Sequence, residues 1–105
     1  MAQEAPVELE IPEGVHEADT AVEVMRTWIA DGALHLIFDP ATFGPNVSEW
    51  GRLLADVSHH LSRAVAMQGE LSQHEALAAI HEAYDRGMLE HVNTRSGKLK
   101  GRVSH

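Results

Sequence analysis

A chain of 105 residues has the length of one domain and can bury roughly two-thirds of its unfolded surface without staples. It contains no cysteine, which excludes a disulfide framework, a thiolate metal site and a cysteine nucleophile. Its net charge of -8 repels phosphate backbones and argues against nucleic acid as the main partner.

Residues 1–20 hold five glutamates and an aspartate with no lysine or arginine, a composition incompatible with a secretory signal peptide. No apolar run approaches the length of a membrane span, so no membrane partner is expected and the cytoplasm is the expected compartment. Within this acidic lead, Val7, Leu9 and Ile11 alternate with Glu8 and Glu10 before Pro12. The alternation fits either an edge strand or a disordered segment.

The stretch RTWIADGALHLIFDP, residues 26–40, admits two readings. As a helix, residues 20–32 would have Thr20 as N-cap, Glu23 completing a capping box and Gly32 closing the C-terminus. As a hairpin, the chain would fold at Asp31-Gly32, a dipeptide suited to the positive φ angles of a type I′ turn. That register pairs Met25 with Phe38, Thr27 with Leu36 and Ile29 with Leu34, which makes one face almost entirely apolar. Such sorting of both strands is hard to obtain by accident, and the hairpin is the preferred reading. Its inner face is then expected to be buried against Trp50, Leu54, Leu61 and Ile80.

Residues 39–48 read as a loop, with two prolines, a glycine and an asparagine. Asn46 is expected to cap the helix that follows, with Glu49 as its capping-box partner. Val47, Trp50, Leu54, Val57, Leu61, Ala64 and Val65 then recur at spacings of three and four, one apolar stripe. Gln68-Gly69 ends that helix. Ser72 and Glu75 open a second by the same device, with Leu77, Ile80, Tyr84 and Met88 as its stripe. Gly87 either ends the second helix or weakens it. The fold class expected is α+β: a β-hairpin, with an N-terminal edge strand as an option, followed by two antiparallel α-helices packed on one face. The acidic segment spans residues 1–19, the domain 20–93 and a basic tail 94–105. Four of the eight basic residues, Arg95, Lys98, Lys100 and Arg102, lie in that tail, so residues 1–94 carry -12 and the tail +4. The tail reads as a solvated terminus or a tether for an acidic partner.

The segments AVEVMRTWIADGALHLIFDP and EWGRLLADVSHHLSRA resemble a family of small bacterial proteins catalogued as a domain of unknown function, the one numbered 5076. The WIADG turn and the WGRLLAD helix start carry the resemblance, which spans roughly residues 20–90. It implies these boundaries and no activity.

Eight histidines invite a metal reading. His59 and His60 are adjacent on a helix and diverge by about 100°. His74 and His81 share a face but stand two turns apart, and no HExxH spacing occurs. Surface or boundary histidines beside Asp56 and Asp85 are the simpler account, and no metal or other cofactor is expected. No serine sits in a GxSxG elbow and no glycine loop has P-loop spacing, so no catalytic set emerges. The hairpin's outer face, with Val24, Arg26, Trp28, His35 and Ile37, is the candidate partner surface, because tryptophan and arginine concentrate binding energy at interfaces. Trp28 and Ile37 left in water would be adhesive. The expected object is a non-enzymatic module that forms a homodimer through this face, and a small-ligand or metal-binding domain using histidines between sheet and helices is the alternative.

Overall fold

The computed structural model describes residues 5–94; the basic tail, apart from Thr94, lies outside the described residues. The order of elements is α1 (Glu13–Glu17), β1 (Met25–Ala30), β2 (Ala33–Phe38), α2 (Ser48–Met67) and α3 (Gln73–Thr94). This is an α+β domain in which a two-stranded antiparallel sheet precedes a helical pair.

The hairpin forms in the expected register. Met25 opposes Phe38, Thr27 opposes Leu36, Trp28 opposes His35 and Ile29 opposes Leu34. Asp31 and Gly32 have φ of 51° and 79°, the pair of positive values that a type I′ turn requires and whose twist suits the flanking strands. Residues 21–24 are not helical and Glu23 makes no capping box. One further backbone bond, Asp39 N–H to the Val24 carbonyl at 3.2 Å, extends the ladder at its open end.

In the acidic lead the edge-strand option is not met, and a short helix is added. Residues 5–12 are neither strand nor helix, and Leu9 is 95 % exposed. A single helical turn and a half, α1, follows Pro12, which presents no N–H to satisfy at a helix start. No apolar period announces it, because none of its residues is buried.

From Asp39 the chain passes through consecutive tight turns. Thr42, Gly44 and Asn46 donate their N–H groups to the carbonyls of Asp39, Ala41 and Phe43, and the Asp39 carboxylate accepts from Ala41 N–H at 2.9 Å. Gly44 sits at φ 59°, a conformation other residues rarely adopt. These turns lead directly into α2. The Asn46 side chain therefore does not cap it: the cap position is Val47, in helical conformation and with no side-chain cap bond. The Asn46 carbonyl accepts from Glu49 N–H instead. At α3 the box does form. Ser72 Oγ accepts from Glu75 N–H at 3.0 Å and the Glu75 carboxylate accepts from Ser72 N–H at 2.9 Å. Gly87 is passed without a break, as α3 runs on to Thr94.

Packing departs most from expectation. The inner face of the hairpin is not buried along its length on the helices. Only its base is docked, where Phe38 meets Trp50 edge-on at a centroid separation of 6.2 Å and Phe43 meets the same indole at 5.0 Å. Toward the turn, Ile29 and Leu34 are 73 % and 59 % exposed. The helical pair is closed at one end by small residues: Ser62 and Ala76 are the two fully enclosed side chains among the described residues. Ser62 Oγ donates to the His59 carbonyl at 2.8 Å, so its burial leaves no orphan hydroxyl.

Candidate functional site

Two hollows stand out among the described residues. The larger, about 550 Å³, lies between α2 and α3. Leu54 and Leu77, Ile80 and Tyr84 make its apolar lining, and His59, His74 and His81 stand along it. Its position follows from the helical crossing. Ser62 and Ala76 are enclosed on either side of the Gln68–Ser72 connection, and the groove extends along the helices to Gly51 and Tyr84. His59 faces the groove whereas His60 is not part of its lining, as their angular separation on one helix requires. His81 Nδ1 lies 3.8 Å from the Asp85 carboxylate, one turn on along α3. Among the described residues, no three histidine, aspartate or glutamate side chains are grouped as a metal ion would need. These three histidines thus lie between helices rather than between sheet and helices.

The smaller hollow, about 320 Å³, is at the hairpin base and is lined by Glu23, Val24, Met25, Arg26, Ile37 and Phe38 together with Asp39. Three of the five residues expected to form the partner surface are among them. All five share the outer face: Arg26 opposes Ile37, Trp28 opposes His35, and Val24 precedes them on the same side. Their availability differs. Val24 and Trp28 are half-buried, whereas Arg26, His35 and Ile37 are exposed. Arg26 is tied down. Its guanidinium donates twice to the Glu23 carboxylate, at 3.0 and 2.6 Å, and lies 3.7 Å from Glu8. The Arg26 hydrogen bonds hold the Glu23 carboxyl below the usual carboxylate range, and the same bonds raise the Arg26 pKa further.

The site residues that sequence reasoning did not assemble are those of the groove. Its signal was present in part, since His74 and His81 share a face of α3, but only the crossing of the helices brings His59 opposite them.

A family model described as a domain of unknown function (DUF5076) matches residues 8–91. The chain belongs to this family. The family's description assigns it no activity. A solved structure from the photosynthetic bacterium Rhodopseudomonas palustrus CGA009, provisionally described as a pyruvate dehydrogenase, is similar to it at 32 % identity and a TM-score of 0.64. The match covers 83 % of this chain and 88 % of that one. No curated protein matches. Among the described residues no helix is long and apolar enough to cross a membrane.

Proposed function

We propose that the protein is a non-enzymatic association module that works as a homodimer. The observation that carries this reading is the poverty of its own core. Two small side chains, Ser62 and Ala76, are enclosed, while large apolar residues on the hairpin and on both helices stay in water. Full burial of a leucine or isoleucine contributes about 1.5–3 kcal/mol. Side chains left half-exposed forgo a large part of that, and a domain's net stability is only about 5–15 kcal/mol. A second copy is the simplest cover, because one patch then satisfies two chains. A catalytic reading has less support: no lysine or arginine lines the groove to take the carboxylate of a 2-oxo acid.

The test is sedimentation at micromolar concentration combined with urea unfolding at several protein concentrations. The expected result is a dimer whose unfolding midpoint rises with concentration, as linkage between folding and association demands. A compact monomer with a concentration-independent midpoint would overturn the proposal.

A further inference from the structure

The apolar stripe on α2 is more regular than packing against α3 requires. Trp50, Leu54, Val57, Leu61 and Ala64 follow spacings of 4, 3, 4 and 3, the heptad seam of a helix that meets another helix lengthwise. At 100° per residue this seam points about 120° away from the direction of buried Ser62, the side turned toward α3. Arg52 and Arg63 lie on the face opposite the seam and Glu49 and Asp56 lie about 100–120° from it, so charge does not oppose its burial. Tyr84 and Met88 continue the apolar surface on α3, beside the groove. Each helix therefore turns one flank to its neighbour in the chain and a second apolar flank, at roughly a right angle, largely to solvent, save at Trp50, which Phe38 and Phe43 already meet. That is the situation of each helix in half of a four-helix bundle.

We infer that the α2–α3 groove and the seam of α2 are the self-association surface, and that the occupant is the helical pair of a second copy. This rests on the homodimer reading and assigns it a surface. The two α2 helices lie antiparallel about a two-fold axis passing close to Val57, the middle of the 20-residue helix. The seam is nearly symmetric about that point. Leu54 and Leu61 flank it at one turn, and at two turns Trp50 of one copy meets the small Ala64 of the other, large against small. Leu54, Val57, Leu61, Tyr84 and Met88 are 40–53 % exposed, which leaves on the order of 500 Å² on this face. That is more than half of the ~800 Å² per partner of a standard interface, before the histidines and alanines of the groove are added. The outer face of the hairpin carries fewer free apolar groups, because Trp28 and Val24 are already half-buried.

The chain's lack of cysteine makes single-cysteine variants of the full-length protein clean reporters. Val57→Cys is expected to form a disulfide-linked dimer rapidly under mild oxidation. Met67→Cys is not, because the same axis holds the two copies of that position about 30 Å apart. Leu61→Glu is expected to sediment as a monomer, while Trp28→Glu and Ile29→Glu remain dimeric. A monomeric parent protein would overturn the homodimer reading and this assignment with it. A dimeric parent that loses association through Trp28→Glu, or cross-links through Met67→Cys and not Val57→Cys, would overturn the assignment alone. If Leu61→Glu fails to fold, the two cysteine variants decide the matter.

Discussion

The β-hairpin and the helical pair are both antiparallel units of two neighbouring elements, yet different forces close them. The hairpin is closed by its backbone: a turn with two positive φ angles and a ladder in one register. It keeps that geometry although its tip carries Ile29 and Leu34 in water. A helix makes its backbone bonds internally, so two helices have only side chains with which to hold each other. Among the described residues of this pair only Ser62 and Ala76 are enclosed, and a groove lies between the helices beyond them. The strand pair is thus specified locally, and the helical pair is where the fold depends on something outside itself.

Substitutions can break this contrast in order of severity. Trp50→Ala removes the indole that joins the two units through Phe38 and Phe43. Full truncation of a buried tryptophan costs about 3–5 kcal/mol, and this one is half-buried, so about 2–3 kcal/mol is expected from urea unfolding. A loss under about 0.5 kcal/mol, typical of surface positions, would mean that the ring cluster is not the joint. Gly32→Val strikes the closure of the hairpin itself. At φ 79° a β-branched residue is strained by about 1–2 kcal/mol, measurable as a lower thermal midpoint and as loss of the cross-strand amide contacts around the turn. Ser72→Ala removes the cap of α3 and should cost about 1 kcal/mol. Gly87→Ala works in the opposite direction: it is a helix interior with open space around a new Cβ, so a gain of up to about 1 kcal/mol is expected.

The smallest effect is a titration. The backbone N–H of Ser72, and then its hydroxyl, hold the Glu75 carboxyl below the ordinary range. A carboxyl depressed in the folded state adds stability above its unfolded pKa and loses it as pH falls through the folded value. The gap between the parent protein and Glu75→Gln should therefore be full at neutral pH and shrink under acid. A gap that stays constant to low pH would show that the carboxylate's charge is not what the cap uses. Arg26→Ala should let the Glu23 carboxyl titrate at a higher pH than in the parent, read by carbon NMR.

What was legible in the sequence divides along the same line. Asp31-Gly32 and the alternation on either side of it defined the hairpin residue by residue, and Ser72 with Glu75 announced the start of α3. Each is a rule acting over a few neighbours. The Asn46–Glu49 box was misleading because the turns from Asp39 to Asn46 already direct the chain into α2 and leave the Asn46 side chain no part in the cap. The short α1 gave no periodic signal because no face of it is buried. The burial of Ile29, Leu34 and Leu61 could not be read either, since a stripe states that a face seeks cover and not which element supplies it. The groove shared the same limit: histidines on two helices become neighbours only through the crossing of those helices.

The enclosure of Ser62 and Ala76 also has a mechanical side. It lies near the connection of the two helices, and the hairpin is attached at the other end of α2 through Trp50. From Ser62 to Ser48 the helix is about 21 Å long at 1.5 Å per residue. A pivot of about 10° at the serine would therefore carry the far end, and the strands fixed to it, through roughly 4 Å. Small residues at a fulcrum permit such a swing at little steric cost, whereas a leucine in place of Ser62 would wedge the arms at one opening. With the enclosed serine as pivot, α2 would act as a lever whose load is the β-hairpin.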